Sequence, residues 1–395
     1  MIRYLTAGES HGSGLVVILE GVPAGLALTE DDFQGELTRR RLGYGRGPRM
    51  RFERDELSLV GGIRHGRTLG SPIAVEIRNT EWPKWEDEMS PAPGSPGKVL
   101  TKPRPGHADL AGMLKYGFED ARDVLERASA RETAARVVAG TVAKALLAEM
   151  GVSVVSHVTQ MGSVEAKGGT LPTAGDLEAI DSSPVRCIDP LAEEAMIAEI
   201  KAAAKVGDSL GGAAQVVAWG VPVGLGSHVH WDRRIDGLLA FALMSIQAVK
   251  AVSIGEGLDI SYRRGSEAHD AIHWSDERAD YYRDTWRAGG IEGGMTTGGP
   301  VVATAWMKPL ATLNRPVLET VDVKSKESTL SFKERTDVTA VPAMGVVAET
   351  MVALVLASEA MRKFGGDSVA EFKRNHDAYL AALGQTPSAA RRPGD

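Results

Sequence analysis

The chain has 395 residues, of which 43% are hydrophobic and 25% charged, and its formal net charge is −7 at pH 7. These proportions are typical of globular proteins, and the length is sufficient to bury a sizeable core. Because Cys187 is the only cysteine, disulfides and cysteine-built metal sites within one chain are excluded.

Hydrophobic patterning predicts a set of strands with helices between them. In chain order we predict a strand at 14–23, a helix at 29–41, a strand at 71–79, a helix at 129–151, a strand at 151–162, a helix at 189–205, a strand at 213–222, a helix at 235–252, a strand at 300–309 and a helix at 341–364. The last two helices are apolar on much of their surface, which indicates core helices.

Helix ends carry recognisable capping signals. Thr29 is expected to cap the first helix, and Asp189 with Pro190 to begin the third. Ser129 and Glu132 have the spacing of a capping box at the start of the second.

Two pairs of similar segments suggest an internal repeat. The segments GGIRHGRTLGSP (61–72) and GGIEGGMTTGGP (289–300) agree at seven of twelve positions, and each leads into a predicted strand. EGVPAGL (20–26) and WGVPVGL (219–225) precede them in the same order. We therefore predict two duplicated halves, about 1–150 and 206–365, related by a pseudo-two-fold axis. Chance similarity of glycine-rich loops is the alternative.

The order of the elements favours one fold class. Strands in hairpin-like pairs, without strict βαβ alternation, predict an α+β fold with antiparallel sheets around core helices. We expect residues 1–383 to form a single compact domain and residues 384–395 to form a disordered tail. The N-terminal segment lacks a signal-peptide pattern, and no run of about 18 uncharged apolar residues occurs. A cytoplasmic protein with no membrane partner is expected.

Six arginines occur between Arg39 and Arg51, with no lysine or acidic residue among them. Arg39, Arg40 and Arg41 end a predicted helix, where cations offset the negative end of the helix dipole. The next three arginines follow in a Gly/Pro-rich loop, where the planar guanidinium suits phosphate or carboxylate. A solvated loop and a nucleic-acid surface are the alternatives, and the acidic net charge weighs against nucleic acid.

Three further segments carry residues suited to acid–base chemistry and anion binding. His11 lies in GESHG (8–12), His107 lies in KPRPGHADLAG (102–112), and Ser129 and Arg131 lie in ERASARE (126–132). Histidines can transfer protons near neutral pH, and a helix N-terminus attracts phosphate. Taken singly, each segment is also compatible with an ordinary loop histidine or a helix cap.

Common cofactor and metal motifs are missing. GYGRGP has the wrong spacing for a dinucleotide fingerprint, and neither a P-loop nor His-Glu-x-x-His occurs. His228 with His230, and His269 with His273, have no convincing third ligand nearby, so no metal site is expected.

Long motifs resemble those of the chorismate synthase family. They are GESHGSGLVVILEGVP (8–23), ERASARETAARVVAGTV (126–142) and RTDVTAVPAMGVVAETM (335–351), with RRRLGYGRGPRM and RPGHADLAG between them. The resemblance spans nearly the whole chain and is closest to the short, monofunctional members. One departure is the segment 335–338, where the family often has Ser or His before the aspartate and Pro after it.

The resemblance implies a fold and an activity. Family members are β-α-β sandwiches, usually homotetrameric, and act in the shikimate pathway. They are carbon–oxygen lyases (EC 4.2.3.5) that eliminate phosphate from 5-enolpyruvylshikimate 3-phosphate by a 1,4-anti elimination to give chorismate. They need reduced FMN although the reaction has no net redox change.

The resemblance also assigns residues. The substrate-binding residues it implies are Arg40, Arg46, Arg49, Arg131 and Arg335. The FMN-binding residues it implies are Arg127, Ala128, Ser129, Gln247, Ala248, Gly293, Lys308, Pro309, Leu310, Ala311, Thr312 and Arg335.

Catalytic roles follow from the needs of that reaction. His11 is the candidate acid for the departing phosphate, and His107 is the candidate cation beside the pyrimidine end of the flavin. Asp337 is the candidate base for the C6 proton, acting through the flavin N5. A structural ion pair between Asp337 and Arg335 is the alternative, favoured where the family match is set aside.

Three expectations concern reductant and partners. NADPH is expected only as an indirect reductant, although the charge of Arg40 and Arg46 could attract its phosphates. A separate flavin reductase is expected to supply reduced FMN, because no dinucleotide motif occurs. No nucleic-acid partner is expected; an RNA-binding or polyanion-binding protein, or a flavin-binding scaffold without activity, are the alternatives.

Overall fold

The computed structural model describes residues 1–46, 55–277, 280–331 and 336–384. The strands are β1 (Arg3–Gly8), β2 (Gly14–Glu20), β3 (Glu56–Gly61), β4 (Ile63–Arg64), β5 (Arg67–Thr68), β6 (Ile73–Arg78), β7 (Ser153–Met161), β8 (Val164–Glu165), β9 (Gly212–Trp219), β10 (Val249–Ile254), β11 (His273–Ser275), β12 (Asp280–Tyr282), β13 (Ile291–Glu292), β14 (Met295–Thr296), β15 (Val301–Met307), β16 (Glu319–Val321) and β17 (Ser328–Leu330). The α-helices are α1 (Glu30–Arg41), α2 (Asp109–Tyr116), α3 (Arg122–Ala128), α4 (Thr133–Ala148), α5 (Leu177–Ser182), α6 (Pro190–Val206), α7 (Ile235–Met244), α8 (Gly265–Ala268), α9 (Val341–Phe364) and α10 (Val369–Ala382).

Two antiparallel sheets form the outer layers. The first has the strand order β1-β2-β6-β3, and the second has the order β10-β15-β9-β7-β8. In β2, Leu15, Val17 and Leu19 are buried while Val16 and Ile18 are exposed, because alternate side chains of a strand point to opposite faces. The mixed helix-and-strand class predicted from the sequence is confirmed.

Helices α4 and α9 lie between the sheets. Helix α4 packs on β2, helix α9 packs on β7 and β9, and the two helices pack on each other. Their backbones approach closely at Gly140, where an added Cβ would lie 2.1 Å from the Cβ of Thr350. Only glycine fits at such a crossing, so a small residue sets the spacing of the inner layer.

Helix α9 is long and apolar enough to cross a membrane by length and composition alone. The sequence pattern predicted no membrane span here, because the signal for a span was an uninterrupted run of uncharged apolar residues. Glu349 and Glu359 interrupt the run in this helix. In its most apolar window, 89% of the residues are buried inside the protein. The segment is therefore accounted for as a core helix.

Two local expectations were wrong. The helix predicted at 235–252 ends at Met244, and the rest of that segment turns into strand β10. Ala248 has a positive φ of 66°, which breaks helical geometry, and the following β-branched residues pair with β15. The capping box of Ser129 and Glu132 does not form, because Ser129 accepts the Arg131 amide and begins a short 3-10 turn before α4.

The two similar segments 61–72 and 289–300 adopt similar local structures. Each contains a two-strand hairpin, β4–β5 or β13–β14, and each leads into a sheet strand. The hairpins have equivalent pairing, Ile63 with Thr68 and Ile291 with Thr296. The turn residues, all with positive φ, are His65, Gly66, Gly293 and Gly294. Such two-residue turns match the twist of the flanking strands.

Candidate active site

His11 is held in the middle of the short loop between β1 and β2. Its Nδ1 lies 3.0 and 2.9 Å from the two carboxylate oxygens of Glu126, and its amide donates to the same carboxylate at 2.9 Å. Its ring packs on the ring of Trp85 with centroids 4.1 Å apart. The loop is fixed from the other side by Asn79, whose amide donates to the Ser10 carbonyl at 2.6 Å.

Glu126 is an ionised carboxylate in this setting. Burial alone would raise its pKa, but hydrogen bonds from His11 and the positive charge of Arg122 outweigh burial and lower the pKa of the carboxyl. Arg122 donates to Glu126 at 3.1 Å and also lies 3.3 Å from Glu88. His11, the predicted acid of the reaction, therefore contacts a buried carboxylate through Nδ1.

His107 has an analogous carboxylate partner. Asp109 is fully buried, and its Oδ1 contacts His107 Nδ1. Its Oδ2 accepts from the amide of Arg104 at 3.0 Å and from Arg104 Nε at 2.9 Å. Burial alone would raise the pKa of Asp109, but hydrogen bonds from His107 and Arg104 hold it well below its usual range.

The predicted flavin segment 308–312 lies against the His107 loop. Arg104 Nη1 donates to Thr312 Oγ1 at 3.1 Å, and Lys308 Nζ donates to the carbonyl of Gly106. The Lys308 amide donates to the carbonyl of Ala248 at 2.9 Å. Two predicted flavin stretches and one predicted catalytic histidine are therefore in contact.

Residues 127–129 form hydrogen bonds both with β1 and with the His11 loop. Arg127 donates to the carbonyl oxygens of Gly8 at 3.0 Å and Thr6 at 2.9 Å. Ser129 Oγ lies 3.2 Å from Ser10 Oγ, next to His11. These contacts bring the predicted flavin residues Arg127, Ala128 and Ser129 beside the predicted acid.

Gln247 reaches the same region through Glu132. Its Nε2 donates to Glu132 at 3.1 Å, and Thr6 Oγ1 donates to the other oxygen of Glu132 at 2.8 Å. The Oε1 of Gln247 is buried and has no hydrogen-bond partner among the described residues. A ligand with an N–H group would satisfy this oxygen.

The side chain of Arg40, from α1, reaches the start of α4, and Arg131 lies in the 3-10 turn just before that helix. Arg40 is buried and donates to Thr133 Oγ1 at 2.9 Å and to the Ala130 carbonyl at 3.1 Å. Arg131 is also buried and pairs with Asp55. Its Nε and Nη2 have no hydrogen-bond partner within the described ranges. A guanidinium with two buried, unused nitrogen donors is suited to an anion.

Asp337 forms an ion pair with Arg46, whereas the sequence suggested an ion pair with Arg335 as the alternative. Its Oδ2 is 3.0 Å from Arg46 Nη1. Arg335, the arginine of the alternative ion pair, lies outside the described residues, as does Arg49. The predicted base and one predicted substrate-binding arginine are therefore an ion pair.

Gly293 is the exception among the described site residues. It lies in the β13–β14 turn, next to Gly294, whose carbonyl accepts the Ile235 amide at 3.0 Å. Among the described residues, no hydrogen bond joins Gly293 to the His11 or His107 loops. No group of three metal-ligating side chains occurs within the described residues either.

Sequence reasoning missed the carboxylates that hold the site. Glu126 lies in the quoted segment ERASARE and Asp109 lies two residues after His107, so the motifs contained both residues. Their pairing was not evident, because contact between Glu126 and His11 joins positions far apart in the chain.

A buried ion cluster behind the site was also missed. Glu349 is fully buried and accepts from Arg39 at 2.8 and 2.9 Å, from Lys144 at 2.7 Å and from Arg186 at 3.1 Å. Burial alone would raise the pKa of Glu349, but the charges of Lys144 and Arg39 lower it. Arg39 is therefore tied to the core and does more than offset a helix dipole.

Comparison with known proteins identifies the family. The family model described as chorismate synthase matches residues 2–361. A chorismate synthase from Salinispora tropica is 57% identical and covers 97% of this chain and 99% of its own length; one from Mycolicibacterium smegmatis is 56% identical over 99% of both. A crystal structure of chorismate synthase aligns with a TM-score of 0.77 and 39% identity, covering 97% of this chain and 98% of its own. The resemblance seen in the motifs is confirmed: this chain belongs to the chorismate synthase family, an enzyme family of the shikimate pathway.

Proposed function

We propose that this protein eliminates phosphate from 5-enolpyruvylshikimate 3-phosphate by a 1,4-anti elimination, with reduced FMN bound, to give chorismate. The observation that carries the proposal is Arg131, whose Nε and Nη2 are buried with no partner among the described residues, and whose amide donates to Ser129, the neighbour of Ser10 in the His11 loop. Arg131 is already paired with Asp55 through Nη1, but buried N–H donors that lack an acceptor are costly, and a ligand anion would satisfy the other two nitrogens. The substrate, with one phosphate and two carboxylates, supplies such anions.

Arg40 and Arg46 extend this anion site. Arg40 is anchored to Ala130 and Thr133, which lie on either side of Arg131 in the sequence. Arg46 is held by Asp337. Fixed cations stabilise charge that develops on the departing phosphate without having to reorganise during the reaction. Arg49 and Arg335 remain predicted members of the set.

Three residues handle protons in this proposal. His11 protonates the departing phosphate, because its ring is fixed by Glu126 and Trp85 beside the anion site. His107, held by Asp109, presents a cation to the flavin. Asp337 receives the C6 proton of the substrate.

The residues around the two histidines suit reduced FMN. Gln247 has a buried carbonyl oxygen that a ligand N–H would satisfy, and Arg127, Ala128, Ser129 and 308–312 lie on the same connected set of loops. When bound, reduced flavin supplies electron density to the substrate transiently. Gly293 is a further predicted contact, although it lies apart from these loops within one chain.

Partners and location complete the proposal. We propose a homotetramer in the cytoplasm that receives reduced FMN from a separate flavin reductase, with NADPH acting only through that enzyme. We assign Arg40 and Arg46 to the substrate and not to NADPH, because no dinucleotide-binding motif accompanies them in the sequence.

We also propose that the chain consists of two halves related by a pseudo-two-fold axis. Strand order supports this relation, because β2-β6-β3 of the first half and β9-β15-β10 of the second half follow the same pattern; β7, which occupies the place of β1, lies before residue 206. Register supports it too: Leu19 pairs with Ile73, and Ala218 pairs with Val301, at equivalent positions of the similar segments. Superposition of residues 1–150 on 206–365 tests the relation, and a common rotation close to 180° is expected.

The direct test of the activity is phosphate release under anaerobic conditions. Purified protein is mixed with 5-enolpyruvylshikimate 3-phosphate and either chemically reduced FMN, oxidised FMN or no flavin. We expect phosphate and chorismate in equal amounts with reduced FMN only. Release without flavin, or none with reduced FMN, would contradict the proposal.

A further inference from the structure

Glu126 contacts His11 in a way that distinguishes the two nitrogens of the imidazole ring. Both carboxylate oxygens lie within 3.0 Å of Nδ1. The side chain of Glu126 is 2% exposed and that of His11 is 16% exposed. A carboxylate can only accept hydrogen bonds. Nδ1 must therefore carry its hydrogen, and Nε2 is the nitrogen that can gain or lose a proton.

The other charges around this pair keep Glu126 ionised and in place. Arg122 donates to Glu126 Oε1 at 3.1 Å and lies 5.1 Å from the Trp85 ring centroid. Trp85 in turn packs on the face of the His11 ring. The imidazole is thus held along one edge by a carboxylate and on one face by an indole. This arrangement restricts both its tautomer and its rotation.

We propose that Glu126 is a positioning residue for His11, which fixes the Nδ1–H tautomer and directs Nε2 toward the departing phosphate. The inference rests on the proposed function, because it assigns His11 the role of acid. The proton moves from Nε2 to a phosphate oxygen as the substrate C–O bond breaks, and Glu126 stays ionised throughout. The neutral imidazole that remains keeps its Nδ1 hydrogen bond.

The competing explanation is that Glu126 only anchors the loop. Its backbone carbonyl accepts the Ser10 amide at 3.0 Å, and its side chain accepts the His11 amide at 2.9 Å. Glu126→Gln keeps the size of the side chain and an oxygen for that amide, and Arg122 keeps Glu88 as its ion-pair partner. It therefore removes the negative charge that faces His11 Nδ1 while preserving the hydrogen bonds that anchor the loop.

A double-mutant cycle separates the two explanations. We expect Glu126→Gln to lower kcat about 10-fold or more with little change in KM, because a misdirected imidazole affects proton transfer rather than binding. His11→Ala should lower kcat at least as much, and the double variant should match His11→Ala within about 2-fold. Glu119→Gln is the matched control: it removes an exposed carboxylate shortly before α3, and wild-type rates are expected. If the fold losses in kcat of the two single variants multiply in the double variant, the inference is overturned.

A spectroscopic measurement tests the contact without relying on activity. Nitrogen-15 NMR of histidine-labelled protein, with His11 assigned by the His11→Ala variant, distinguishes the two neutral tautomers. We expect the Nδ1–H form in wild type and a mixture or the Nε2–H form in Glu126→Gln. The Nε2–H form in wild type would overturn the inference. Full activity of His11→Ala with the Nδ1–H form present would instead refute His11 as the acid, and with it the catalytic role of Glu126.

Discussion

Arg46 Nη1 lies 3.0 Å from Asp337 Oδ2, and the two side chains are only 11% and 21% exposed. Ion pairs shielded from water in this way interact more strongly than surface pairs. In the proposed reaction, Arg46 binds a substrate anion and Asp337 receives a proton. The substrate anion and Asp337 then share one guanidinium, so substrate binding changes the surroundings of the base.

The first prediction concerns the geometry of Arg46. Arg46→Lys keeps the charge but loses the planar fork, so one ammonium has to serve both Asp337 and the substrate. We expect KM for the substrate to rise about 10-fold, equivalent to about 1.4 kcal/mol. Steady-state kinetics with saturating reduced FMN measures it. Arg64→Lys, on an exposed residue of the β4–β5 hairpin, should leave KM unchanged; equal effects at both positions would mean that Arg46 is only part of a basic surface.

The second prediction distinguishes the role of His107 in turnover from the role of its partner Asp109 in stability. His107→Ala should lower turnover at least about 10-fold, because it removes the cation proposed beside the flavin. The melting temperature should change little, since a half-buried loop side chain fills no core. Paired kinetic and thermal measurements test this, and wild-type turnover would remove His107 from the mechanism.

Asp109→Asn is expected to affect stability as well as turnover. The fully buried carboxylate neutralises Arg104 and contacts His107, and its loss leaves a buried cation unpaired, at a cost of about 3–5 kcal/mol. The folded-state pKa of Asp109 lies below its unfolded value. Its contribution is therefore fully present at neutral pH, begins to decrease as pH falls below the unfolded pKa of about 4, and is lost completely only below the depressed folded-state pKa. Unfolding measured at pH 7 and pH 3.5 should show the difference between wild type and variant shrinking at the lower pH; a constant difference would argue against this origin.

The fourth prediction compares a fully buried carboxylate with a partly exposed one. Glu349→Gln should lower the free energy of unfolding by about 3–5 kcal/mol, because Arg39, Lys144 and Arg186 would lose their shared anion. Glu149→Gln breaks an ion pair with Lys373 at the surface and should cost at most about 1 kcal/mol. Denaturant titration of both variants tests the contrast. Similar losses would show that burial does not set the strength of these pairs.

The fifth prediction concerns the source of electrons. Pure protein with oxidised FMN, NADPH and substrate should form little chorismate under anaerobic conditions. Addition of dithionite or a separate flavin reductase should start the reaction. Prompt product formation with NADPH alone would show that the protein reduces its own flavin.

Sequence patterns predicted the main strands and helices because burial in this fold follows local periodicity. The strand at 301–307 and the helix at 341–364 lie where β-branched and apolar runs placed them. The prediction of a single helix at 235–252 was wrong, because the change from helix to strand there depends on the positive φ of Ala248 and on pairing with β15. Tertiary contacts of that kind leave no local signal.

The site was predictable to the extent that each motif is continuous in sequence. His11, His107 and Arg131 were found in short segments, and the structure gives each of them a carboxylate partner: Glu126, Asp109 and Asp55. Those partners were not predicted, because an acidic residue in a motif can equally well be exposed to solvent. Only the folded structure shows that these carboxylates are buried against their cations. The pairing of Asp337 with Arg46 likewise depends on loops that meet only in three dimensions.

The most direct test of the central claim is the number of turnovers supported by each reduced flavin. Protein is mixed anaerobically with a fixed, small amount of chemically reduced FMN and a large excess of 5-enolpyruvylshikimate 3-phosphate, and chorismate, phosphate and flavin absorbance are followed together. The account predicts chorismate and phosphate in equal amounts, in large molar excess over FMN, with the flavin still reduced at the end. One chorismate for each flavin oxidised, or phosphate release without chorismate, would contradict it.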